Sequence, residues 1–162
     1  MQNESPLDFE VATTGGKTFK LIDYIGRGLV IYFYPKDDTS GCTTEGQDFS
    51  ALYAQFQALG WEVFGVSRDS LSSHEKFKAK YNFPFELLAD VDELACDLFG
   101  VIKLKNMFGK QVRGIERSTF IMTPAGQLIR SWRGVKVPNH AQEVLDYVRS
   151  LSSAGEENPH AA

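Results

Sequence analysis

The sequence has two cysteines, Cys42 and Cys96, in 162 residues. That is too few for a disulfide framework in a chain of this size. There is no C-x-x-C pair either, since Glu45 is the third residue after Cys42, and this disfavours a thioredoxin-type dithiol exchanger. An excess of basic residues is also missing. With 17 Lys and Arg against 21 Asp and Glu the formal net charge is −4, which argues against nucleic acid as a main partner. No apolar run approaches the roughly 20 residues of a membrane helix. Met1-Gln2-Asn3-Glu4-Ser5 carries neither the basic nor the apolar segment of a signal peptide. The expectations are no membrane partner and a cytoplasmic location. His74, His140 and His160 are far apart with no cysteine at ligand spacing. They read as surface or helix-face residues, and no metal or other cofactor is expected.

What is present is patterned. The length suits one domain, able to bury about two-thirds of its unfolded surface. Alternation over 7–13, the turn at Gly15-Gly16 and extended character over 17–21 predict an N-terminal hairpin. Near-continuous apolar runs at 29–34 and 61–67 predict strands buried on both faces. Between them Phe49, Leu52, Tyr53, Phe56 and Leu59 recur at helical steps, predicting a helix over 43–59 ended by Gly60. Helices are also predicted over 71–81, with Ser70 as N-cap, over 91–99 and over 141–151. A short strand is predicted at 85–88 and a hairpin from 119–122 and 127–132 around Thr123-Pro124-Ala125-Gly126. Residues 101–116 read as a glycine-spaced basic loop, and 152–162 as a disordered polar tail beyond a single domain of residues 1–151. This order describes an α/β thioredoxin-like fold: a central mixed sheet flanked by helices, with an N-terminal β-hairpin.

Cys42 carries the chemistry. It follows the apolar run ending in Tyr32-Phe33-Tyr34-Pro35 and a polar loop, and it opens a helical segment. Unpaired N–H groups and the positive dipole end at a helix N-terminus favour a thiolate. Such placement lowers a cysteine pKa from about 8.5 to roughly 3.5–7.5. Cys42 is flanked by Ser40, Gly41, Thr43 and Thr44, not by the apolar residues of a cysteine serving as a small buried hydrophobe. A fall in pKa from about 8.5 to about 6 raises the thiolate fraction at pH 7 from about 3% to about 90%. Lower intrinsic nucleophilicity returns about tenfold of that gain. The net is about threefold, so orientation and transition-state stabilisation must supply most of any acceleration. Thr39, three residues earlier, can donate to or accept from the sulfur or a substrate. Pro35 ends the strand without an N–H and can shield the sulfur. Arg117 stands at the entrance of a later strand, where its guanidinium can supply charge-assisted donors.

Residues Pro35-x-x-x-Thr39-x-x-Cys42, with Gly65-Val66-Ser67-Arg68-Asp69-Ser70, Leu88-Ala89-Asp90 and Gly114-Ile115-Glu116-Arg117-Ser118-Thr119-Phe120 in order, resemble the bacterioferritin-comigratory (PrxQ) branch of the peroxiredoxins. The resemblance covers roughly residues 5 to 150. It implies a thiol peroxidase acting on hydrogen peroxide and organic hydroperoxides, with Cys42, Thr39 and Arg117 catalytic and Pro35 shielding. Cys42 would become a sulfenic acid, returned to thiol by thioredoxin, glutaredoxin or glutathione. The resolving cysteine that members often carry would fall at Gln47 or at Lys78, and neither is cysteine. Cys96 falls roughly 130° from the apolar face of the helix predicted over 91–99, so it is expected neither in the core nor at a usual resolving position. A one-cysteine cycle is the expectation, in a monomer or homodimer. The alternatives are a two-cysteine cycle with Cys96 resolving, or a redox-sensing holdase that uses Cys42 as a sensor.

Overall fold

The computed structural model describes residues 9–157. β1 (Glu10–Thr13) and β2 (Lys17–Lys20) form the N-terminal hairpin, and a 3₁₀ turn, Leu21–Tyr24, leads to β3 (Gly28–Phe33). Then follow α1 (Ser40–Ala58), β4 (Trp61–Ser67), α2 (Leu71–Tyr81), β5 (Glu86–Ala89) and α3 (Leu94–Phe99). The last elements are β6 (Ile102–Met107), β7 (Lys110–Ile115), β8 (Ser118–Met122), β9 (Leu128–Arg133) and α4 (His140–Glu157). The start of the alternation predicted over 7–13 lies outside the described residues.

Seven strands form one mixed sheet in the order β2-β1-β5-β4-β3-β8-β9. β3, β4 and β5 run parallel, and β8 pairs antiparallel with β3 so that Ser118 faces Phe33. Every residue of β3 is buried, as a central strand covered on both faces requires. Its alternate side chains feed two cores. Val30 and Tyr32 point to Phe49 and Phe56 of α1, Phe77 of α2 and Val144, Leu145 and Val148 of α4. Leu29, Ile31 and Phe33 point the other way, to Ala95, Cys96 and Phe99 of α3 and to the N-terminal Phe9 and Phe19. Because β3, α1, β4, α2 and β5 progress in one direction across the sheet, the two crossover helices share a face. The loops leaving β3, β4 and β5 therefore gather along one edge, and the loop from β3 leads into the first turn of α1, which holds Cys42.

Several expectations need correction. Residues 102–115 are a two-stranded ribbon, β6 paired with β7, not a loop. α4 continues to Glu157, so the tail boundary expected at residue 152 falls inside a helix, and residues 158–162 lie outside the described ones. α3 begins at Leu94, and its inward face is Ala95, Cys96 and Phe99, while Val91, Leu94 and Leu98 are exposed. The buried Asp90 carboxylate sets that rotation: it accepts from the Ala95 and Cys96 N–H groups at 3.0 and 2.8 Å. In so short a helix, satisfying two otherwise unpaired donors outweighs the orientation that apolar periodicity suggests. His74 and His140 are buried, not superficial, because each has polar partners inside. His160 lies outside the described residues.

Candidate active site

α1 begins three residues earlier than periodicity suggests, and this brings Cys42 into its first turn. Thr39 is the N-cap, and its carbonyl accepts from the Thr43 N–H at 2.8 Å. Cys42 Sγ accepts from Arg117 Nη1 at 3.5 Å. Arg117 lies far away in sequence, between β7 and β8, and its own carbonyl accepts from Val135 N–H at 2.9 Å. The close approach needs Gly41. A Cβ there would sit 3.1 Å from Arg117 Nη2, so any side chain would press on the guanidinium.

Cys42 is 2% exposed and joins the core on the α1 side. This burial differs from what the polar residues flanking it suggest. On a helix, however, adjacent residues point about 100° apart and say little about each other's surroundings. The thiol thus has an aromatic wall on one side and a cation on the other.

The same Arg117 Nη1 donates to Glu45 Oε1 at 2.8 Å. Glu45 is buried, and its Oε2 is the one buried side-chain polar atom without a hydrogen-bond partner among the described residues. Burial pushes its carboxyl up to about 7, against the opposing charge and hydrogen bond of Arg117. Burial opposes the charge on Arg117, but Glu45 and then Cys42 more than offset it, so the guanidinium stays protonated. In the sequence Glu45 stands out only as the residue that breaks a C-x-x-C pair. The available signal was a carboxylate one helical turn from the cysteine, on the same face.

The structure brings Cys42 and Arg117 into contact, but it turns the Thr39 hydroxyl elsewhere. That hydroxyl donates to Lys36 O at 2.9 Å, leaving the Thr39 oxygen with lone pairs to accept. Pro35 is half-buried at the start of the loop. The loop is pinned from below by Asp37, a residue the sequence did not single out. Tyr34 Oη and Ser73 Oγ each donate to the Asp37 carboxylate at 2.7 Å. His74 Nδ1 lies 2.7 Å from the same carboxylate, and Nε2 lies 2.8 Å from Leu88 O. The Asp37 N–H donates to Asp69 Oδ2 at 2.9 Å. Among the described residues Asp37, Asp69 and His74 form the one group of three whose potential metal-ligand atoms all lie within 4.8 Å of one another. Both imidazole nitrogens already face oxygen acceptors, so this cluster is an internal tether.

Cys96 is fully buried on the opposite face of the sheet from Cys42. Burial first, and then the Asp90 carboxylate, push its thiol well up. Gln47 is exposed. Lys78 donates to Phe83 O and Phe85 O at 2.8 and 2.9 Å, bracing the turn after α2.

The chain is similar to proteins of one family. Residues 2–131 match the AhpC/TSA family model. The chain is 54% identical over 138 residues to the peroxiredoxin Bcp of Xanthomonas campestris pv. campestris, covering 85% of this chain and 86% of that one. It is 48% identical over 145 residues to the Bacillus subtilis peroxiredoxin Bcp, covering 90% and 92%. The solved Xanthomonas campestris peroxiredoxin Q superposes with a TM-score of 0.86 at 52% identity, covering 90% of this chain and 92% of that one. A cysteine-to-serine variant of Xylella fastidiosa PrxQ does so with 0.88 at 45% identity, covering 93% and 94%. The chain belongs to the AhpC/TSA family, in the Bcp or PrxQ branch of the peroxiredoxins, and its activity is that of a thiol-dependent peroxidase.

Proposed function

We propose that Cys42 is the thiol that meets the peroxide and that Arg117, Glu45, Thr39 and Pro35 build the site around it. The observation that carries this is the Arg117 guanidinium held 3.5 Å from Cys42 Sγ, with Gly41 leaving it room. The Cys42 thiolate attacks the terminal peroxide oxygen, a sulfur–oxygen bond forms, and the O–O bond breaks. The enzyme keeps a sulfenic acid, and the departing hydroxide or alkoxide takes up a proton. Arg117 donates to the charge that moves from sulfur to the leaving oxygen, which is where preorganised donors matter most. Glu45 fixes the guanidinium plane through one carboxylate oxygen. The Thr39 oxygen, its proton engaged with Lys36 O, accepts the peroxide hydroxyl. Pro35 shields the sulfur.

The substrates proposed are hydrogen peroxide and organic hydroperoxides. A structure similar to this one, the Xanthomonas campestris bacterioferritin comigratory protein, was described for its alkyl peroxide reduction activity, which supports the organic class. Recycling falls to an outside thiol, from thioredoxin, glutaredoxin or glutathione, because the sheet stands between Cys42 and Cys96. No helix among the described residues is long and apolar enough to cross a membrane, and the cytoplasm is the proposed location.

Stopped-flow oxidation by peroxide tests the assignment. Cys42→Ser should abolish peroxide consumption, and Cys96→Ser should leave the first oxidation within about twofold of wild type. Arg117→Ala should slow it by on the order of 10²–10³. A Cys96→Ser variant that lost the first oxidation, with Cys42→Ser active, would overturn the roles.

A further inference from the structure

The β6–β7 ribbon has features that the fold does not need. It carries Lys103, Lys105, Lys110 and Arg113 and no acidic residue, in a chain of net charge −4. Directly opposed residues share a face, so Lys103, Lys105, Met107, Lys110 and Val112 line one side, paired as Lys105 with Val112 and Met107 with Lys110. Phe108 and Gly109 form the turn with φ of +54° and +79°. An aromatic residue is disfavoured in that left-handed conformation, where Asn or Gly would serve. Phe108 is also 99% exposed, so it repays none of that cost by packing. Strain and full exposure together point to a surface role.

The position of the ribbon says which role. β7 runs directly into Glu116 and Arg117, and Ser118 pairs with Phe33 at the end of β3 where the catalytic loop starts. Its base is fixed there: Arg68 Nη2 donates to Arg113 O at 3.4 Å, and Glu93 bridges Arg68 and Arg113 at 3.0 and 2.7 Å. The ribbon therefore rises from the rim of the site that a reductant must reach. A protein reductant covers about 800 Å² of its partner, roughly 28 Å on a side, so one whose thiol meets Cys42 reaches the base of the ribbon beside Arg117, and the ribbon extends that contact outward.

We infer that the β6–β7 ribbon is a docking arm for a protein dithiol reductant with an acidic, partly apolar face. This rests on the one-cysteine cycle proposed above. Lys103 and Lys110 meet carboxylates of the partner, and Phe108, at the far end of the ribbon, seats in an apolar recess at the edge of the partner's contact surface. The Cys42 sulfenic acid then condenses with the first partner thiol, forming a mixed disulfide and releasing water. The second partner thiolate attacks the partner's own sulfur, which returns Cys42 as a thiolate and leaves the partner disulfide. A small thiol needs no such arm, and a bilayer would not supply the electrons the site requires.

The test compares wild type with Lys103→Glu/Lys110→Glu and with Phe108→Ser, in three measurements. These are the first oxidation by peroxide, recycling by dithiothreitol, and recycling by a reduced thioredoxin of acidic isoelectric point. The expected result is a rise of at least tenfold in KM for thioredoxin in each variant, with peroxide oxidation and dithiothreitol recycling within twofold of wild type. The thioredoxin KM of wild type should climb steeply with salt, and that of the charge-reversed variant should not. An unchanged thioredoxin KM in both variants, or no thioredoxin recycling of wild type, would overturn the docking arm. So would loss of binding to anionic phosphatidylserine vesicles, or of self-association in sedimentation, with thioredoxin kinetics unaltered; the occupant would then be a membrane or a second copy. Failure of wild type to react with peroxide would strike the peroxidase assignment instead, and it is read in a separate measurement.

Discussion

At Glu45 a single carboxylate links stability to pH. Its folded pKa of about 7 exceeds the ordinary carboxylate value, so between about pH 4.5 and 7 the folded chain holds a proton that the unfolded chain has lost. Stability from this residue is full below pH 4.5, declines as pH rises to 7, and is then flat. The size is on the order of 1–3 kcal/mol. Glu45→Gln retains an oxygen for Arg117 but removes the titration. Urea denaturation from pH 4.5 to 7.5 should therefore show wild type losing stability relative to the variant across that window. Parallel curves would mean that Glu45 does not hold its proton in the folded state. Neither the burial of Glu45 nor its pairing with Arg117 could be read from sequence. Both depend on a residue 72 positions away that only the register of β3 with β8 brings near. The contact of Arg117 with Cys42 was expected only through the resemblance, whose motifs are local to each residue.

Among the elements, the loop between β3 and α1 owes its shape to a tether at Asp37 more than to its own residues. Three side chains converge on that carboxylate, two of them from α2. Leaving buried hydrogen-bond donors without their acceptor typically costs about 1–3 kcal/mol. Asp37→Asn should lower the urea-unfolding free energy by about that amount and slow peroxide oxidation, since the Cys42 turn loses its anchor. A change below about 0.5 kcal/mol would show that the loop is held by other contacts. The long elements were readable because β3, β4, α1 and α2 each bury a regular set of side chains. The β6–β7 ribbon was not. Its alternation, Ile102-Lys103-Leu104-Lys105, is there to be seen, but only Ile115 and Ile102 at its base enter or approach the core. A strand pair with no buried face leaves a weak imprint. α3 misled for the opposite reason: an apolar face was present but turned outward, because Asp90 caps the helix in another rotation.

On the scale of the whole molecule the sheet divides two chemical compartments. Cys42 belongs to the core under α1 and Cys96 to the core under α3. A disulfide needs Cα atoms within about 7 Å, so joining two thiols in different cores requires helix displacement or local unfolding. One equivalent of peroxide should give a dimedone-trappable sulfenic acid on Cys42, and excess peroxide should carry it to sulfinic acid. Rapid loss of both thiols with a two-hydrogen mass decrease, or a covalent dimer lost in Cys96→Ser, would show that Cys96 resolves the cycle. The isolation of Cys96 also makes it a reporter. It is 0% exposed, and an alkylating reagent reaches it only when the α3 side of the chain comes apart. Its labelling rate in the native protein therefore measures how often that half opens, while the labelling of Cys42 records the redox history of the other half. One chain thus holds a thiol that times unfolding and a thiol that times oxidation.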